Sequence, residues 1–136
     1  MRKLALAVSV ALLSYALPAM AHHAFASVFD HNRYTTITGT LAKIEWINPH
    51  AYFYVDVKDS KGKVETWALE SFSPGTLRKA GFIRKDMVAR IGQPMKISLF
   101  RARDNTKTLG WADIFEFADG TKLQLSRDLV AKDDKF

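Results

Sequence analysis

The residues best suited to chemistry in this chain are its four histidines, His22, His23, His31 and His50, all of which precede residue 51. Their types and placing point to metal chemistry. The chain has no cysteine, so a metal site must draw on imidazole, carboxylate, amine or methionine. His22 and His23 are adjacent and directly follow Ala21. A cut after Ala21 would leave a free α-amine on His22. An N-terminal histidine can bind a metal through its amine and Nδ1 together, closing a six-membered ring. A further imidazole from His50, His31 or His23 would complete three nitrogens, and a planar nitrogen set suits Cu(II) above other first-row ions. Met87 and Met95 read as core or turn positions. The plainer alternative makes His22 and His23 a polar stub, His31 a solvated loop residue, and His50 a partner for a turn carbonyl.

The residues before His22 predict that such a cut is made. Met1-Arg2-Lys3 is a short positive segment, Leu4 to Leu17 is an apolar run, and Pro18 breaks it. Ala19-Met20-Ala21 supplies the small residues of a cleavage site. The run is shorter than the roughly 20 apolar residues a membrane-spanning helix needs, and no second run follows. The expectation is a secretory signal over residues 1–21 and a periplasmic or secreted product starting at His22, with no membrane span after processing.

A second group of residues is aromatic. Trp46, Tyr52, Tyr54 and Trp67 fall on or beside the first three predicted strands and form a candidate ligand-binding face. Exposed rings there could stack on a sugar, a base or another planar ligand. Alternatively, an N-terminal arm anchored by Phe25, Val28 and Phe29 folds over Tyr52 and Tyr54, which would also bring His22 near His50.

No catalytic constellation is visible. There is no nucleophile elbow, no phosphate-binding glycine loop and no His-Glu-x-x-His. Glu45, Asp56, Glu65 and Glu70 are dispersed over strands, and Arg101, Arg103 and Lys107 gather at a hairpin that reads as a solvated edge or a weak anion site. The full chain carries a net charge of +6; without residues 1–21 there are 18 cations against 14 acids, a net of +4. This mild excess suits weak attraction to anionic surfaces and lacks the density of a nucleic-acid binder. An oxidising destination without disulfides leaves packing alone to hold the fold.

These residues must be positioned by a small β domain, for 115 residues suffice for one core. Tyr34 to Ile47 reads as a long strand. Its apolar parity changes between Ile37/Leu41 and Ile44/Trp46, which predicts a bulge, with Gly39 nearby. Asn48-Pro49 turns the chain and places His50 in the first loop. Ala51 to Lys58 alternates cleanly, and Asp59-Ser60-Lys61-Gly62 leads into Val64 to Leu69. Ser73-Pro74 caps a short helix that Gly81 stops. Ile83 to Val88 predicts another helical turn. Met95 to Ala102 and Thr108 to Phe117 are strands, and Lys122 to Leu125 returns from a last hairpin. Three strands, a helix and two more strands is the order of an OB-like barrel of five to six strands. The competitor is an open six-stranded meander or sandwich. The expected organisation is an arm over 22–33, a barrel over 34–126, and a charged tail over 127–136.

The segment Ala21-His22-His23-Ala24-Phe25-Ala26 with Phe29-Asp30, Gly39-Thr40-Leu41, and Lys43-Ile44-Glu45-Trp46-Ile47-Asn48-Pro49-His50-Ala51 resembles a group of small exported bacterial proteins. That family is catalogued as a domain of unknown function, and its members resemble this chain in the His-His pair and the Trp-x-Asn-Pro-His motif. Trp67 and the Ser73-Pro74 helix also fit. The resemblance implies export and a compact β fold, and carries no activity. The leading expectation is a periplasmic binding or accessory protein, copper-capable through its histidines, acting on a periplasmic protein or small ligand and not on nucleic acid. The alternative is a metal-free ligand or protein-interaction module using the aromatic face; a copper-dependent oxidoreductase stands third.

Overall fold

Alternation of apolar and polar residues, interrupted at two points, builds the architecture. The computed structural model describes residues 25–125. Six strands form one sheet: β1 (Phe29–Glu45), β2 (Tyr52–Lys58), β3 (Val64–Glu70), β4 (Pro94–Ala102), β5 (Leu109–Phe117) and β6 (Lys122–Gln124). Two short helices, α1 (Pro74–Lys79) and α2 (Arg84–Val88), link β3 to β4. The sheet order is β3-β2-β1-β4-β5-β6, and β3 also pairs with β5. That last pairing is parallel and joins Ala68, Leu69 and Glu70 to Leu109, Gly110 and Trp111. It closes the first five strands into a ring, which is the OB-like small barrel; the open meander is excluded. β6 then lengthens the free part of the β5 edge. Among the described residues no helix is long and apolar enough to cross a membrane.

Closure requires β1 to serve both halves of the barrel. Its Tyr34–Thr40 stretch pairs with β4, and its Thr40–Glu45 stretch pairs with β2. Gly39 stands at the changeover, where a Cβ would lie 2.5 Å from the Asp56 carbonyl oxygen and 2.7 Å from Val55 Cγ1. The expected bulge lies just beyond, at Ala42, between Leu41↔Val55 and Lys43↔Tyr54. One unpaired residue lets Leu41 and Ile44 both face inward despite their opposite parity. β1 starts earlier than the expected Tyr34: Phe29 already pairs with Ala102, and residues 30–33 form an excursion before pairing resumes at Tyr34.

Leu41, Phe53, Val55, Leu69, Ile97, Leu99 and Phe115 fill the interior, all at most 1% exposed. Leu77 of α1, Phe82 from the link between the helices and Met87 of α2 plug one end of it. Ser73 caps α1 by accepting from the Thr76 N–H, Pro74 occupies the first turn, and Gly81 turns the chain out at φ +90°. The Gly92 N–H donates to the Leu41 carbonyl and the Leu41 N–H to the Gln93 carbonyl, tying the helical corner to the same end of the barrel.

Candidate functional site

His50 owes its position to the loop between β1 and β2. That loop carries a cis Asn48–Pro49 peptide. Ala51, fully buried, then pins it to the end of β3: its N–H donates to the Phe72 carbonyl and its own carbonyl accepts from the Ser71 N–H. The neighbouring His50 side chain is thereby set beside Glu70. His50 Nδ1 lies 2.7 Å from Glu70 Oε1, in a contact that is short but not aligned as a regular hydrogen bond. The other carboxylate oxygen, Oε2, accepts from the Tyr52 hydroxyl at 3.1 Å. Tyr52 and Glu70 face each other across the β2–β3 ladder, which explains the pairing. Burial, followed by the Glu70 charge, pushes the Tyr52 hydroxyl up to about 12, so it remains a neutral donor.

A carboxylate oxygen this close to Nδ1 favours a proton on that nitrogen, because two lone pairs facing each other would repel. In neutral His50 the remaining lone pair then belongs to Nε2. A carboxylate beside one ring nitrogen of a histidine is the arrangement that suits a metal ligand at the other.

The His50 ring also packs against Trp111, with centroids 5.6 Å apart and planes at 79°. Trp111 is 6% exposed although it points out of the barrel. Its direction follows from a second bulge, at Asp113, which sits between Ile114↔Ser98 and Ala112↔Leu99. Ala112 faces inward, and Trp111 and its cross-strand neighbour Phe100 face outward. Two large apolar rings side by side on an outer face need a cover. The N-terminal segment provides it: the Phe25 ring lies 5.3 Å from Trp111 and 5.7 Å from Phe100, edge-on to both. Phe29, 1% exposed, also meets Trp111 edge-on, as does Phe72.

Arg103 holds this segment in place. Its backbone N–H donates to the Val28 carbonyl, its Nε to the Ala26 carbonyl and its Nη2 to the Phe29 carbonyl. These are carbonyls of the helical turn over residues 25–28 and the residue after it, which have no helical donors of their own; a cation suits that end. Arg33 donates to the Ala102 carbonyl nearby, and the Tyr34 hydroxyl donates to Asp113 Oδ2 at 2.6 Å.

The sequence-predicted residues separate as follows. His50 lies at the Trp111 corner, while His31 sits on the β1 excursion, exposed, with its ring 4.6 Å from Phe25 and 5.5 Å from Phe100. His22 and His23 lie outside the described residues, as do the signal and the charged tail. Among the described residues no group of three or more His, Asp or Glu side chains converges as a metal site. Tyr52 and Tyr54 face outward as expected, but their hydroxyls are engaged by Glu70 and Glu45. Trp46 and Trp67 are partly buried against the core. Arg101 lies over the Trp67 ring at 5.4 Å and donates to the Lys107 carbonyl.

The arm therefore lands on Phe100 and Trp111, correcting the expected landing on Tyr52 and Tyr54. The physical reason is polarity: the two tyrosines already satisfy carboxylates, whereas Phe100 and Trp111 offer only apolar surface. Of the expected anchors, Phe25 and Phe29 serve and Val28 is 41% exposed. Sequence reasoning missed Glu70, Trp111, Phe100, Phe72 and Arg103. A signal existed for two of them, since Phe100 breaks the inward parity of Ile97 and Leu99, and Trp111 follows Gly110 on a strand too apolar to alternate.

The chain belongs to the Family of unknown function (DUF6152), whose model matches residues 9–111. Comparison with curated proteins and with solved structures gives no match.

Proposed function

We propose that this protein is exported to the periplasm, is cut after Ala21, and serves there as a binding or accessory protein that holds copper between its new N-terminus and His50. The observation that carries the reading is the Glu70 carboxylate 2.7 Å from His50 Nδ1, which leaves Nε2 as the ligand nitrogen. The rest of the set would be the His22 amine and Nδ1, with His23 or His31 as the alternative imidazole. Phe25 and His50 both pack on Trp111, and a span of about 10 Å for three residues of extended chain is the length that supports a shared site. The set takes only His50 from the described residues, among which no group of three or more ligating side chains converges. The bound ion would be a nitrogen-ligated Cu(II) centre, and the protein's own contribution is to orient one imidazole and dock the segment bearing the other.

The test is Cu(II) electron paramagnetic resonance on protein recovered from the periplasm, with its N-terminus fixed by intact mass. One stoichiometric site with nitrogen hyperfine structure, lost when a residue is added before His22 and weakened at least tenfold by His50→Ala, is the expected result. Heterogeneous weak copper, or unchanged affinity in His50→Ala, would remove the site. The metal-free reading through Trp46, Tyr52, Tyr54 and Trp67 has less support, because the two tryptophans pack on the core and leave two tyrosines on the outer face.

A further inference from the structure

The modest overall charge is unevenly placed. Residues 78–96 contain six Lys or Arg and one acid, so this short stretch holds five of the chain's six net positive charges. It is the corner formed by the end of α1, α2 and the turn into β4. Arg78, Lys79, Arg84 and Lys85 are exposed there, and none makes an ion pair among the described residues. Arg90 is occupied, stacked 3.8 Å from the Phe117 ring centroid and paired with Asp119.

Among these cations stand three of the exposed large aliphatic side chains of the molecule: Ile83 at 54%, Val88 at 38% and Ile91 at 41%. Hydrogen bonds from Ala89 to Lys85, Arg90 to Met87 and Ile91 to Val88 continue the helical winding past α2. Arg84, Val88 and Ile91 are therefore spaced to share one outward stripe, while Met87, 2% exposed, and Arg90 face the barrel. Aliphatic side chains set among cations are the composition of a surface that rests on anionic lipid: the chains enter the headgroup boundary and the cations meet the phosphates. An acidic protein partner would satisfy the cations equally well, but the exposed apolar side chains of the stripe, Val88 and Ile91, are not the large aromatic anchors on which protein interfaces centre.

We propose that the α1–α2 corner docks this protein on an anionic phospholipid bilayer, with Val88 and Ile91 inserted at the interface and Arg78, Lys79, Arg84 and Lys85 on the phosphates. The proposal does not rest on the copper reading. β4 runs from Pro94, beside this corner, to Phe100 under the docked arm, a path of about 20 Å at strand rise.

The test is co-sedimentation of the protein as exported by cells with vesicles of phosphatidylcholine alone or mixed with phosphatidylglycerol. Each cation near an anionic surface gains roughly fivefold in partitioning. Binding is expected only to the mixed vesicles, to weaken with salt, to fall at least roughly twentyfold in Arg84→Glu/Lys85→Glu, and to fall roughly fivefold in Val88→Ser/Ile91→Ser. All four positions are exposed, and near-ultraviolet circular dichroism checks that the barrel is intact. No binding, equal binding to phosphatidylcholine, or indifference to either double variant overturns the proposal. Soluble polyglutamate competing as strongly as vesicles, with the same charge dependence, also overturns it and assigns the face to an acidic protein.

Discussion

Among the described residues Phe25 is the one ring of the N-terminal segment that touches both Trp111 and Phe100, so Phe25→Ala separates docking of the segment from integrity of the barrel. An aromatic side chain buries about 150–250 Å² when fully covered. Phe25 is half-buried, and about 100 Å² at roughly 25 cal/mol per Å² gives about 2.5 kcal/mol for its docking. That is an upper bound, since ordering the segment opposes it. The loss corresponds to at most about 60-fold in the docked population at 1.4 kcal/mol per tenfold. If copper is held jointly by the N-terminus and His50, its affinity should fall by roughly tenfold to 60-fold, because undocking removes the high local concentration of one ligand near the other. Global stability should change little, since Phe25 lies outside the barrel interior. The assay pairs Cu(II) titration with hydrogen exchange: amides of residues 26–33 should lose protection while those of β2 and β5 keep theirs. Lost protection with unchanged copper affinity would refute the coupling, and unchanged protection would refute the docking estimate itself.

Glu70→Gln keeps the shape beside His50 and removes the charge; copper affinity should fall tenfold to about a hundredfold, as for other carboxylates behind a ligating histidine, measured by competition with a chelator. Gly39→Ala places a methyl 2.5 Å from the Asp56 carbonyl oxygen, where backbone cannot yield cheaply, and should cost about 1–3 kcal/mol in urea unfolding. The Tyr52 hydroxyl, raised from 10 to about 12, binds its proton more tightly in the folded state. Its contribution to stability is therefore full below pH 10 and is lost as the pH climbs from 10 toward 12; a urea midpoint that falls over that window, and falls less in Tyr52→Phe, is the expected result.

The barrel was legible because its rules are local. Alternation over Phe53, Val55 and Val57, the Ser73-Pro74 cap, and turn residues at Asp59–Gly62 each name an element without knowledge of its neighbours. The parity change between Leu41 and Ile44 revealed a bulge, although Gly39 drew attention from Ala42, where it lies. The candidate site was less legible, because its partners meet only through the ladder. Glu70 reaches His50 from another strand, and nothing near Asn48-Pro49-His50 in the sequence announces it. The arm's existence could be read from Phe25 and Phe29, but its landing place depended on Phe100 and Trp111 facing out. Arg103 looked like one cation of a solvated hairpin, yet it holds three groups of the arm. Its carbonyl partners carry no side-chain signature, so composition could not find it.

The Asp113 bulge shows why the site sits where it does. With regular pairing below Ile114, Asp113 would take the next inward position and point a carboxylate at Leu99 and the apolar interior. Alternation would then turn Ala112 out and Trp111 in, where a large indole would compete with Phe53 and Leu69 for filled space. One unpaired residue resolves both conflicts. Ala112 takes the inward place and Trp111 the outward one, while Asp113 accepts from the Tyr34 hydroxyl, and its carbonyl accepts from the Leu125 N–H. The bulge costs ladder bonds and yields an outer face on which Trp111 can meet both Phe25 and His50. The polar requirement of a single carboxylate thus dictates the apolar landing site of the arm, and through it the approach of the N-terminal segment to the loop histidine.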